Sequence, residues 1–258
     1  MTRTKRPDGP RIRQQKIADF VRKTGRARVE DLAGRFKTSN ETIRRDLAAL
    51  AETGRIQKFH GGAKRPGGDG EGPFLDRMAR NAVAKRMIAE KAAGLVSPGE
   101  TLFIDTGSTT LMCADELARI AGLTVITNST AIAATISDGG RAAAVYLLGG
   151  RFDHDNRETA GPMAIEQIRL FHADRALLTI GALDAEAGAT NFSFDEAQVA
   201  RAMLDNADTL VVVCDASKFG RTAGCRVCAL ERIDDLVTDR PVPAQLEAAL
   251  AEADVRVH

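Results

Sequence analysis

Tryptophan is absent from this 258-residue chain, tyrosine occurs once, and aromatic residues make up 4%. The sequence therefore offers no evident aromatic surface on which bases could stack. No run approaches the ~18 apolar residues of a membrane helix. The N-terminus is basic and polar with no apolar stretch, so neither a signal peptide nor a membrane segment is expected. Cysteine is scarce, at Cys113, Cys214, Cys225 and Cys228. The first two fall in apolar runs, where a free Cys behaves as a small hydrophobe. Cys225-x-x-Cys228 has zinc-knuckle spacing but lacks a second pair, so no metal is expected. A cytoplasmic protein without a cofactor fits these absences, and 44% hydrophobic residues suffice for a real core.

Net charge is also nearly missing, at +1, but the balance hides two opposite parts. Residues 1–66 hold 18 Lys/Arg against 7 Asp/Glu, and residues 67–258 hold 18 against 28. Such asymmetry suggests one part that meets a polyanion and one that does not.

The basic part reads as folded. Ile12, Ile17, Phe20 and Val21 lie at helical spacing, with Gly25 as a stop signal. Val29, Leu32 and Phe36 give a second, short helix. In KTSNETIRRDLAAL, Thr38 and Glu41 have capping-box spacing, with Ser39 an alternative cap. Ile43, Leu47 and Leu50 form a buried stripe that leaves Asn40, Glu41, Arg44 and Arg45 facing elsewhere. Gly54 ends that helix, Ile56 to Phe59 alternates like a strand, and His60-Gly61-Gly62 turns back as a wing. This is a helix-turn-helix plan, whose recognition helix reads the major groove from its N-terminal end. Arg44 and Arg45 lie about 100° apart on a helix, which suits one to a base edge and the other to a phosphate. The competing reading makes them solvated surface arginines, or partners of Asp46 and Glu41.

TIRRDLAAL followed by GRIQKFHGGA resembles the winged helix-turn-helix of the DeoR family of bacterial regulators, over roughly residues 11–65. The resemblance implies DNA binding through residues 39–53, with Ser39, Asn40, Thr42, Arg44 and Arg45 at the DNA. Lys58, His60 and Gly61 would belong to the wing.

Domain 1–60 is expected to end in a Gly/Pro-rich linker, 61–73, through which no element runs. A helix is expected from about Ala79. Strand-like runs follow at 101–105, 124–127, 144–148, 175–181, 209–215 and 235–239, mostly separated by helix-length stretches. Residues 74–258 thus read as a parallel α/β sheet covered on both faces. Ligands in such sheets sit at the carboxyl ends of the strands. There stand Asp105-Thr106-Gly107-Ser108-Thr109-Thr110, Thr127-Asn128-Ser129, Gly149-Gly150-Arg151, Gly181-Ala182 and Asp215 to Gly220 with Lys218. A Gly-Ser-Thr-Thr run opening a helix suits a phosphate. Several small-polar strand ends, with one Arg and one Lys, point to a phosphorylated small molecule.

FIDTGSTT, VITNS, LLGGR, EAQVARAML and CDASKFGR resemble the effector domain of the same family, which is itself similar to sugar-phosphate isomerases. The resemblance implies that Gly107, Ser108, Thr109 and Thr110 cradle a phosphate and that Asp105 and Asn128 face sugar or polyol hydroxyls. Lys218 would reach the anionic part, with Gly150, Arg151 and Glu196 at the rim. TNFSFDEAQVARA and SKFGRTA are most similar to the branch that governs glycerol-3-phosphate regulons. The expected protein is a repressor of a sugar or polyol operon, homo-oligomeric (dimer or tetramer) on repeated half-sites and released by a phosphorylated metabolite.

Other readings of the same residues fare worse. Asp105-Thr106-Gly107 is also the aspartic-protease tripeptide, but that chemistry needs two carboxylates sharing a proton on an all-β fold. An isomerase tethered to DNA needs a base near the substrate carbon. Asp105, Asp195, Glu196 and Asp215 are its candidates, and His154 reads as part of a polar turn. A DNA-binding protein with a vestigial sensor would ignore every metabolite.

Overall fold

The computed structural model describes residues 9–64 apart from 25, 54 and 60, and residues 74–258. The chain divides into two compact units, before and after Pro73. Gly25, Gly54 and His60 lie outside the described residues, as do linker residues 65–73.

In the first unit, α1 (Pro10–Thr24), β1 (Arg26–Arg28), α2 (Val29–Phe36) and α3 (Asn40–Glu52) precede β2 (Gln57–Phe59) and β3 (Gly62–Lys64). Ile17 and Val21 of α1, Leu32 of α2, and Ile43, Leu47 and Leu50 of α3 close on Ile56 as one core. The stripe predicted for α3 is the buried one. Its cap is Ser39 rather than Thr38, since Ser39 Oγ accepts from the Thr42 N–H at 3.2 Å. Beside the stripe, Asp46 turns inward. Its carboxylate accepts from Arg13 Nε at 2.5 Å, from a second Arg13 nitrogen at 3.2 Å and from Gln14 Nε2 at 3.0 Å. That pins α3 to α1.

The wing is three-stranded, in order β1-β3-β2, with β1 pairing Arg28 opposite Gly62. Two arginines in a three-residue strand show no sequence period, so β1 is unforeseen. The expected hinge at 61–64 is corrected: these residues form the wing's turn and its central strand. Gly61 has φ +87°, and a Cβ at Gly62 would lie 2.4 Å from the Ala27 carbonyl oxygen, so both glycines are needed where the strands close.

The second unit begins with α4 (Phe74–Ala79) and α5 (Ala82–Ala93), divided at Asn81, which takes a left-handed φ of 55°. The helix expected from about Ala79 is α5, and the short α4 before it is unforeseen. There follow β4 (Thr101–Ile104), α6 (Ser108–Leu117), β5 (Thr124–Thr127), α7 (Thr130–Asp138), β6 (Ala144–Leu147), β7 (Arg151–Asp153) and β8 (Glu158–Ala160). Next come α8 (Pro162–Ile168), β9 (Ala173–Thr179), β10 (Ala182–Asp184), β11 (Gly188–Asn191), α9 (Phe194–Asp205) and β12 (Ala207–Val213). The chain closes with β13 (Cys225–Cys228), β14 (Asp235–Val237), α10 (Ala244–Glu252) and β15 (Arg256–Val257).

Seven strands form one parallel sheet, ordered β15-β14-β12-β9-β4-β5-β6. Successive residues feed opposite faces. Leu102 and Ile104 pack with Ile88, Leu117 and Ile132, whereas Phe103 packs with Ala164, Val199 and Met203. Both faces are covered, which is why the strands read as continuous apolar runs. Two antiparallel additions, the β7–β8 hairpin and the β10-β11-β13 sheet, complete the unit. Cys225 and Cys228 stand on β13 opposite Asn191 and Ala189 of β11, across a register shift, and both pack against the core of the unit.

Candidate functional site

On the first unit, Ser39, Asn40, Glu41, Arg44 and Arg45 share the solvent face of α3, with Thr42 half-buried. The Arg44 and Arg45 side chains are 65% and 80% exposed, and each leans on Glu41, at 3.9 and 3.3 Å. Asp46 is not their partner, being engaged by Arg13. Lys58 and Gly61 are exposed on the wing. Both arginines thus stand on the N-terminal half of a helix whose other face is core, an arrangement able to enter a groove.

On the second unit, all C-terminal strand ends lie along one edge. The chain leaves β4 through β5 and β6 on one side and returns through β9, β12, β14 and β15 on the other. The order reverses between β4 and β9, the place where open parallel sheets receive ligands. Gly107 sits there. A Cβ on it would lie 2.4 Å from Thr179 Cγ2 of β9, so only glycine lets the loop pass. Ser108, Thr109 and Thr110 are buried and open α6, whose first N–H groups have no intrahelical acceptor.

Two loop assignments change. Asp105 was expected to face ligand hydroxyls. Instead its two carboxylate oxygens accept the Thr179 N–H at 3.0 and 3.2 Å, where the β4–β9 ladder parts. Burial pushes the Asp105 carboxyl well above the usual carboxylate range. The Thr179 N–H opposes that shift, and Glu196 and Glu158 add to it. Thr110 Oγ1 donates to the Asp105 carbonyl at 3.0 Å, so this hydroxyl shapes the loop.

Around this point gathers a polar cluster. Arg77 of α4 is buried and donates to Asn156 Oδ1 at 2.9 Å. Asn156 Nδ2 reaches the Glu196 carboxylate at 3.1 Å and that of Glu158 at 3.5 Å. Burial, with Glu196 and Asp153 nearby, pushes Glu158 up to about 8. Glu196 is also raised by burial, partly offset by Arg77. Glu196, expected at the rim, is drawn into this cluster. Asn128 is 1% exposed, and its Nδ2 donates to the Thr159 carbonyl at 2.9 Å and to Glu158 at 3.4 Å.

The remaining residues sit farther along the edge. Gly150 turns the chain into β7, and Arg151 is exposed and paired with Asp195. Lys218 ends the turn after β12, where Asp215 caps the Ser217 N–H at 2.9 Å. Burial, reinforced by Arg221, brings its amine down to about 8. Asn81 Nδ2 donates to Asp215 at 3.1 Å, and Lys85 donates to the carbonyls of Arg77 and Arg80. The segment 74–85 thus crosses the strand-end edge from Glu196 to Asp215. Asn156, Glu158 and Asp153 carry no sequence motif. Asp-His-Asp-Asn announces a turn, but nothing in the letters says that the turn folds over the strand ends.

Residues 80–240 match the DeoR C terminal sensor domain, and residues 13–67 match the DeoR-like helix-turn-helix domain. The chain is 31% identical over 247 residues to the glycerol-3-phosphate regulon repressor of Escherichia coli K12, covering 95% of this chain and 97% of that one. It is 31% identical over 249 residues to the HTH-type transcriptional regulator GlpR of Haloferax volcanii, covering 96% and 97%. To the transcriptional repressor AccR of Agrobacterium fabrum it is 33% identical over 229 residues, 88% of each. The solved ribose 5-phosphate isomerase A of Methanocaldococcus jannaschii aligns with 54% of this chain and 55% of its own at 18% identity, with a TM-score of 0.40. The basic helical unit and the parallel α/β unit each match their own half of one regulator architecture, and by that correspondence the chain belongs to the DeoR family.

Proposed function

We propose that the protein is a transcriptional repressor of a sugar or polyol catabolic operon, released from its operator by a phosphorylated metabolite. The observation that carries this reading is the end-to-end similarity to named repressors, in which neither unit is missing. Arg44 and Arg45 serve as groove contacts, Lys58, His60 and Gly61 as wing contacts. Ser108, Thr109 and the α6 N-terminus hold the phosphate, with Lys218 and Arg151 at the periphery. A dimer or tetramer supplies paired recognition helices.

Release follows from linkage, because ligand must favour the DNA-incompetent arrangement. A hundredfold loss of operator affinity needs about 2.7 kcal/mol of coupling. Fluorescence anisotropy on promoter DNA, with and without glycerol 3-phosphate and sugar phosphates, tests this. A phosphate ester should lower affinity, and affinity should fall steeply with salt. Indifference to every ester removes the sensor role. Turnover of ribose 5-phosphate, followed by NMR, would favour the isomerase reading instead.

A further inference from the structure

The two edges of the seven-stranded sheet are finished differently. β15 is two residues long, and Arg256 on it is ion-paired with Asp235 at 2.8 Å. A short, charged edge of that kind discourages pairing. β6, at the other end, is Ala144-Val145-Tyr146-Leu147, without charge or proline, and β5 is its one strand partner among the described residues. Nine large apolar side chains of the second unit are exposed among the described residues, and six belong to this end: Tyr146, Leu147, Phe152, Met163, Leu170 and Phe194, at 46–80%. Contacts tie them together. The Tyr146 ring lies 5.0 Å from that of Phe171, the neighbour of Leu170. Met163 and Leu170 stand seven positions apart, along one side of α8 and its closing turn. Between them, Gln167 accepts the Gly149 N–H at 2.9 Å, which fastens that side to the end of β6. Arg151 pairs with Asp195, which brings the strand of Phe152 to the start of α9, where Phe194 stands. Apolar side chains gathered in this way mark a place of contact.

We propose that this surface, built from β6, β7 and α8, is where a second copy of the chain docks about a two-fold axis. Charge decides the partner. The ion pairs of the surface, Arg151 with Asp195 and Arg169 with Glu166, hold two charges of each sign. A nucleic acid or an anionic bilayer would call for an excess of cations there. A surface that is apolar and balanced in charge meets its own copy without net repulsion, and each ion pair can be re-formed across the axis. The repressor reading calls for two copies and leaves open where they meet. The proposal rests on that reading only for the expectation of more than one copy. The β7–β8 hairpin that exposes Phe152 also carries Glu158 to Asn128, so the docking surface and the candidate effector site share one element.

Sedimentation velocity and oxidative footprinting of the full-length protein test this. Met163 is 67% exposed on one chain, and Met87 of α5 is 44% exposed. Exposure alone would make Met163 the faster of the two to oxidise, whereas a docked copy makes it the slower. Leu170→Glu and, separately, Met163→Glu place a charge on the surface at exposed positions that the fold tolerates. Each should weaken self-association at least about thirtyfold, the loss expected when a central contact is broken. Val83→Glu, on the exposed face of α5, should leave it unchanged. The footprinting needs no variant, so a misfolded one leaves the test intact. A wild-type protein that sediments as one chain overturns the proposal, and so does oxidation of Met163 ahead of Met87. Assembly that survives both variants overturns this surface and leaves the repressor reading standing. Dimers through this surface that bind no promoter DNA would sink the repressor reading alone.

Discussion

Asp46 of the first unit and Asp105 of the second are both buried, and the two are met in opposite ways. Asp46, 3% exposed, receives a guanidinium and an amide from α1. Asp105, 6% exposed, receives a backbone N–H of β9, with two glutamates in its field. The first is a neutralised joint whose work is to hold α3 still. The second is a carboxyl met by a backbone N–H instead of an ion pair, beside the proposed effector site.

Experiment can break that contrast. The largest loss should follow Arg13→Ala, which strands the Asp46 carboxylate. Removing one partner of a buried pair costs about 3 kcal/mol or more. Calorimetry should show the helix-turn-helix unit melting earlier, and an unchanged melt would mean that the joint is idle. Asp105→Ala leaves the Thr179 N–H without its acceptor and should cost about 1–3 kcal/mol in the sensor unit. Asp105→Asn retains an acceptor oxygen and removes the burdened charge. It should therefore be nearly neutral, whereas Asp46→Asn should not. Equal losses from the two Asn variants would erase the distinction.

Glu158 gives a subtler difference. Between its ordinary value of 4.5 and about 8, the folded protein keeps a proton that the unfolded chain has lost. Stability contributed by this group is therefore present at low pH and lost as pH rises through that window. Glu158→Gln should flatten the decline in melting temperature across it, in the presence of the same neighbours Glu196, Asp153 and Arg77. Least of all should stability respond to Arg44→Ala or Arg45→Ala, exposed positions where changes stay within about 0.5 kcal/mol. Operator affinity should nevertheless collapse in either variant. Retained affinity would show that the two side chains do no more than pair with Glu41.

The same contrast explains what was legible in the letters. Ile43, Leu47 and Leu50 announce their helix, and Leu102 to Ile104 their strand, because burial of apolar surface leaves a period behind. Glu158-Thr159-Ala160 is wholly buried too, yet its burial rests on polar contacts that leave none. β15 is a two-residue strand, with Arg256 anchored on Asp235 at 2.8 Å. Asp105 was legible as a strand end, but its direction was not. Whether it faces a ligand or the N–H of β9 depends on which strand lies beside β4. The crossover settles that through residues 74 positions away.

That crossing has a mechanical consequence. β4, β5 and β6 meet the other four strands through one ladder, Leu102 to Ile104 against Arg175 to Leu177. The sheet is in effect two leaves on a single seam, and an effector at the proposed site by Gly107 and Thr179 would stitch them. Occupancy should therefore lengthen the time before the leaves part, slowing hydrogen exchange along β4 and β9 more than at β6 or β15.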